Sequence, residues 1–156
     1  MRTLTVVLTS LVVLASCTDI GEPTLGTELR LFDRNGNEAN VFRVGEEFDM
    51  RLSVTNRTDN PQSFTFGRPR FFFQVRIGDS LVSSSTDGIA FITIVERGTL
   101  RQGQSDSDVW RAPNSEATPG RIVLPLGQYQ ARALFGGVFD EFGMLPAKTM
   151  SFTVVP

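Results

Sequence analysis

Residues 48–55 alternate apolar and polar side chains without a break: Phe48, Met50, Leu52 and Val54 against Asp49, Arg51, Ser53 and Thr55. Successive side chains of a strand point to opposite faces, so the stretch predicts a strand with one dry face and one wet face. The turn formers Asn56-Arg57-Thr58-Asp59-Asn60-Pro61 close it. A strand of this kind needs a second layer over its apolar side, which the rest of the chain has to supply.

The chain supplies many short candidates. Residues 28–32 predict a first strand, and Asn35-Gly36 after them is a hairpin signal. Residues 40–44 form a short extended piece before Gly45-Glu46-Glu47. Phe64 and Phe66 share a face in residues 62–66, and Phe71, Phe73, Val75 and Ile77 alternate with Phe72, Gln74 and Arg76. Residues 81–84 suit a hairpin partner. Residues 89–95 are apolar on both faces, which predicts a strand covered on both sides. Arg97-Gly98 and Gln102-Gly103 read as turns, and residues 107–111 as a strand holding Trp110. Residues 128–135 and 147–155 alternate again. Between them, residues 136–146 form a connection whose Phe139, Phe142 and Met144 either fold under as a core flap, the favoured reading, or expose an apolar patch for a partner. No stretch has helical period. Seven to nine short strands with regular turns predict an all-β, Ig-like antiparallel β-sandwich.

The front end is different. Met1-Arg2 precedes the uncharged apolar residues 3–13, a run too short to span a bilayer, and small residues follow. Leu14-Ala15-Ser16-Cys17 has the form of a bacterial lipobox, in which the cysteine carries lipid and the signal is cut before it. Cys17 is the single cysteine of the chain and stands where that motif demands one. Residues 1–16 are thus expected to be a lipoprotein signal peptide, 17–27 a tether containing Pro23, and 28–156 the sandwich domain. Two or three acyl chains anchor stably to a membrane. The expected location is the cell envelope after export. Thr18 rather than Asp after the cysteine resembles lipoproteins sorted to the outer membrane, where the cell has one.

Composition removes function classes. There is no histidine, so no Ser-His-Asp or Cys-His catalysis and no histidine-held zinc. Without Arg2 the charge goes from −2 to −3, with 14 basic against 17 acidic residues, and no basic patch marks a nucleic-acid binder. With Cys17 lipidated no disulfide remains, and the 13 phenylalanines have to build the core. Asp106 and Asp108 at i, i+2 share a strand face and read as a solvated edge rather than a calcium site. Asn56-Arg57-Thr58 is a glycosylation sequon in form and a turn in this reading. No cofactor or metal is expected.

Two local patterns go further. Leu124-Pro125-Leu126-Gly127-Gln128-Tyr129 has the Leu-x-x-Gly-x-Tyr form of a tyrosine corner, in which Tyr129 bonds back to nearby backbone and Gly127 bends the chain where a Cβ would clash. The loop Pro113-Asn114-Ser115-Glu116-Ala117-Thr118-Pro119 is a candidate recognition loop, its two prolines reducing the entropy lost on docking.

Residues 48–135 also resemble the BsuPI family of bacterial proteinase inhibitors. The resemblance rests on the strand ending in Val54-Thr55-Asn56-Arg57-Thr58-Asp59-Asn60-Pro61, then Phe64-Thr65-Phe66 and Phe71-Phe72-Phe73-Gln74-Val75. Leu100-Arg101-Gln102-Gly103-Gln104-Ser105 before Trp110 and Gly127-Gln128-Tyr129 complete it. It implies an Ig-like sandwich and proteinase inhibition. The family's namesake is intracellular, whereas this chain carries an export signal. The expected function is a membrane-anchored, non-enzymatic binding domain of the envelope with a protein partner. The alternatives are a BsuPI-like inhibitor and a passive structural subunit of an envelope assembly.

Overall fold

The computed structural model describes residues 24–91, 94–114 and 120–156. Cys17 and the expected signal peptide, residues 1–16, lie outside them. Twelve strands form among the described residues: β1 (Leu25–Phe32), β2 (Val41–Arg43), β3 (Phe48–Asn56), β4 (Gln62–Phe66), β5 (Phe71–Ile77) and β6 (Ser80–Ser84) in the first half. The second half gives β7 (Glu96–Leu100), β8 (Ser105–Ala112), β9 (Gly127–Phe135), β10 (Val138–Phe139), β11 (Gly143–Met144) and β12 (Lys148–Val155). Nine are five residues or longer; β2, β10 and β11 are two- or three-residue pieces. Among the described residues no helix is long and apolar enough to cross a membrane.

The strands make a two-layer β-sandwich. One layer is the five-stranded sheet β2-β12-β9-β5-β6; the other is built from two sheets, β1-β3-β8 and β11-β10-β4-β7. Pairing is antiparallel except between β2 and β12, which run parallel. The alternation in β3 does what its period dictates: Phe48, Met50, Leu52 and Val54 are buried under the five-stranded sheet. Rings knit the layers together. Phe48 stacks on Phe42 at 4.3 Å and meets Phe152 at 4.9 Å. Phe64 meets Phe135 at 5.3 Å, and Phe73 meets Trp110 at 6.4 Å.

The two sheets of the split layer join where β3 passes into β4 and β7 into β8. Asn56, fully buried, holds the joint. Its Nδ2 donates to Asn60 O at 2.8 Å and Leu100 O at 2.9 Å, and its Oδ1 accepts from Thr58 N at 2.9 Å and Thr58 Oγ1 at 2.7 Å. All four of its hydrogen-bonding positions are filled. The sequon that starts at Asn56 is therefore a structural turn, with its amide nitrogen enclosed.

Four local expectations are corrected. β1 begins at Leu25, so residues 25–27, assigned to the tether, pair with β3. Arg97-Gly98 is not a turn but the middle of β7: Phe64 lies opposite Gly98, and a Cβ there would stand 2.4 Å from its Cζ. The glycine makes room for a ring, which composition alone disguises as a bend. Residues 89–91 and 94–95 form no strand; Ile89, Phe91, Ile94 and Val95 are exposed, Val95 to 76%. The turn after β6, held by Asp87 Oδ2 on Ser84 N at 2.7 Å and by Gly88 at φ +73°, carries the chain off the sheet before them. Residues 92–93 lie outside the described residues. In the 136–146 connection Phe139 is core, while Phe142 and Met144 stay exposed, so only part of it folds under.

Candidate functional site

A cleft of about 570 Å³ opens on one side of the sandwich, between β8 and the β5–β6 hairpin. Alternation builds its floor. Phe71 and Phe73 are inward positions of β5, and Trp110 is an inward position of β8. Ile89, Phe91 and Val109 form the walls, all three more than two-fifths exposed. Ile89 and Phe91, from the described part of that apolar run, thus contribute to a surface and not to a strand. Sequence reasoning missed this site, although the signal was there. A run apolar on both faces cannot choose a side of a half-wetted sheet.

The rim is acidic. Glu47, Asp49 and Asp108 line it against a single Arg111, whose Nε lies 3.1 Å from Asp49 Oδ1. Asn114 organises one end. Its carbonyl oxygen accepts from Trp110 Nε1 at 3.0 Å, its Nδ2 donates to Glu47 Oε1 at 3.1 Å, and its Oδ1 accepts from Ile122 N at 2.6 Å. Trp110 is therefore fixed in orientation, with its polar edge satisfied and its ring left for apolar contact. Ser85, a hydroxyl of the cleft, accepts from Phe73 N at 3.1 Å in a chain without histidine. The arrangement suits binding an apolar group beside positive charge.

The candidate recognition loop divides here. Pro113 is buried and Asn114 is committed to Trp110, Glu47 and Ile122, so these two anchor the loop instead of presenting it. Ser115, Glu116, Ala117, Thr118 and Pro119 lie outside the described residues, as does Cys17.

Asp106 and Asp108 point to the side of β8 that Trp110 occupies. Asp106 is half-buried and pairs with Arg70, Nη2 to Oδ1 at 3.1 Å and Nε to Oδ2 at 3.1 Å. The Nε contact is an ion pair without hydrogen-bond alignment. Desolvation pushes the Asp106 carboxyl above its ordinary range, and Arg70 pulls it back only in part. Asp108 Oδ1 accepts from Val109 N at 2.8 Å. The solvated-edge reading thus holds only loosely: Asp106 is half-buried against Arg70, and Asp108 occupies a backbone donor of an edge strand. Among the described residues no group of three or more His, Cys, Asp or Glu gathers as a metal site.

Tyr129 Oη donates to Pro125 O at 2.9 Å, four residues back, and its ring stacks on Phe152 at 5.4 Å. Leu124 is buried beneath the bend. The role expected of Gly127 changes. A Cβ there would meet Tyr129 Cε2 at 3.8 Å, an ordinary contact, so the glycine is needed for its φ of +154° and not for space. The Pro125 carbonyl is only part-buried. Tyr129→Phe is accordingly expected to cost about 1 kcal/mol in a urea melt, the net worth of one ordinary hydrogen bond. A neutral result would leave Tyr129 as packing only.

No protein-family model matches the chain, and no curated protein matches it. Among solved structures, a CARDB domain from Pyrococcus furiosus in complex with di-metal ions is similar at 12% identity and TM-score 0.44, over 88% of this chain and 95% of that one. The sporulation control protein Spo0M from Bacillus subtilis is similar at 10% identity and TM-score 0.45, over 83% of this chain and 49% of that one. A β-glucosidase from Listeria innocua in complex with glucose follows at 9% identity and TM-score 0.41, where this chain spans 16% of the enzyme. Similarity this distant transfers no activity to this chain.

Proposed function

We propose that the chain is a non-enzymatic binding domain of the bacterial envelope, anchored through lipid on Cys17, that takes a protein segment into the cleft between β8 and the β5–β6 hairpin. The carrying observation is the cleft itself. Phe91 and Val109 are exposed above a buried floor of Phe71, Phe73 and Trp110, and a carboxylate rim surrounds them. A partner that inserts an apolar side chain there removes exposed apolar area from water, and a neighbouring Lys or Arg meets the rim. The absence of histidine supports binding over catalysis.

Capture from detergent-solubilised membranes tests this. The wild-type chain is expected to retain a partner, and Phe91→Asp, a surface change, to lose it about tenfold or more with an unchanged melt. Equal capture by both overturns the cleft as the site. No capture by the wild type favours a passive structural subunit.

Proteinase inhibition is the second reading. Phe71, Phe73 and Trp110, all within the segments that resemble BsuPI inhibitors, make the cleft floor. Stoichiometric slowing of a subtilisin-like or trypsin-like protease by the intact chain would identify the partner class. A panel left unaffected by excess protein removes that reading. The anchor has its own test. Cys17→Ser is expected to move the protein from the membrane to the soluble fraction, and membrane retention of the variant would overturn lipidation.

A further inference from the structure

The outward face of the five-stranded sheet carries no acid and is polar across its middle, between a half-buried apolar pair, Phe72 and Leu134, and the exposed Val41 and Leu81 of the two outer strands. Register sets two rows across its three central strands: Thr149, Arg132 and Gln74, then Ser151, Gln130 and Arg76. Their alternates, among them Phe152, Ala131, Ala133 and Val75, are buried in the sandwich, so these six stand on the solvent side. No strand position on this face is a carboxylate, although the chain as a whole carries a net charge of −2. Arg132, on the middle strand, is exposed and makes no ion pair among the described residues. Arg76 Nη1 donates to Gln74 Oε1 at 3.4 Å, and its Nη2 donates to the backbone carbonyl of Asp79 in the β5–β6 turn. Neither arginine is paired with a carboxylate on the sheet.

We infer that this face binds an anionic polysaccharide. Glutamine amides both donate and accept, as do serine and threonine hydroxyls, which matches the hydroxyl groups of a sugar chain. Arginine adds charge-assisted, bidentate recognition of a carboxylate or phosphate on that chain. The two rows cross three strands, and Gln130 and Ser151 also line a groove of about 370 Å³ with Gln128 and Thr153, so a chain of sugars can repeat the same contacts along the sheet. A protein partner would call for apolar anchors at the centre of its contact, and the apolar residues of this face lie outside the two rows. Even with the exposed Arg43 of β2, three arginines are too few for the phosphate backbone of a nucleic acid. The inference is independent of the cleft, which lies at the sandwich edge.

The test uses the full-length chain in detergent, passed over immobilised alginate, a polyuronate, and over dextran, its uncharged counterpart. Retention on alginate that weakens with added salt is expected, with little on dextran. Arg132→Glu is expected to weaken it about tenfold or more, the loss of a charge-assisted contact. Arg34→Glu, the same charge change in the exposed turn after β1, is expected to leave it intact, as is the cleft variant Phe91→Asp. Should Arg132→Glu not melt like the wild type, Arg76→Gln takes its place. Full retention of the sheet-face variant, equal binding of dextran, or no retention of the wild type on alginate would each overturn the inference.

Discussion

Asn56→Asp is expected to destabilise the domain by about 3–5 kcal/mol, the cost of an uncompensated buried charge. The substitution changes one atom in shape and two donors in chemistry. Nδ2 of Asn56 faces the carbonyl oxygens of Asn60 and Leu100 at 2.8 and 2.9 Å. A carboxylate oxygen in its place repels both and leaves them without a donor in a site closed to water. Protonation relieves the charge but returns one donor where two were needed. Because domains of this size are stable by only about 5–15 kcal/mol, the loss is a large share of the whole. Urea melts compare it with Asn56→Ala, which removes the bonds without adding charge and is expected to lose less. An Asp variant within 1 kcal/mol of the wild type would mean that the joint between the two sheets relaxes around position 56.

Phe135→Ala is the second large effect, about 3–5 kcal/mol by the usual cost of emptying an aromatic site. Phe135 sits at the inner end of β9, 1% exposed, with the rings of Phe71, Phe64 and Phe139 at 5.1, 5.3 and 5.6 Å. It touches both layers and the connection that follows β9. Its loss leaves a cavity that three rings in two layers cannot collapse together to fill. Phe142→Ala is the control. That residue is 39% exposed and makes none of these ring contacts, and its removal is expected to cost about 1 kcal/mol or less. Parallel denaturant melts decide between them, and similar midpoints would overturn the placement of Phe135 in the core.

These contrasts show what was legible in the sequence. Wherever a strand wets one side only, the period of two exposes its inner face: β3, β5, β9 and β12 read correctly because Phe48, Phe73, Ala131 and Phe152 alternate with polar residues. Leu124, Gly127 and Tyr129 were recognisable as a unit because their bend is local, though the reason for the glycine was not. Long-range facts were hidden. Nothing beside Gly98 in the chain reports that Phe64, 34 residues earlier, needs the space above it. Asn56 looked like any turn residue because its acceptor at Leu100 comes from a strand 44 positions away. The cleft was least legible, since its floor, walls and rim come from β5, β8, the segment after β6 and the approach to β3. A surface assembled from four places has no motif.

The edge of β8 has a consequence for how copies of the protein behave together. Ladder bonds in the β3–β8 pair fall at alternate residues, and Asn56 N bonding Gln104 O places them at even positions of β8. The N–H groups of Ser107 and Val109 therefore point away from β3, towards any strand that comes alongside. Asp108 already holds the second of them. A second molecule approaching this edge finds the Val109 donor taken and the Asp108 charge in its place, which makes β8 a poor template for zipping neighbouring molecules into a shared sheet when the protein is crowded on a surface.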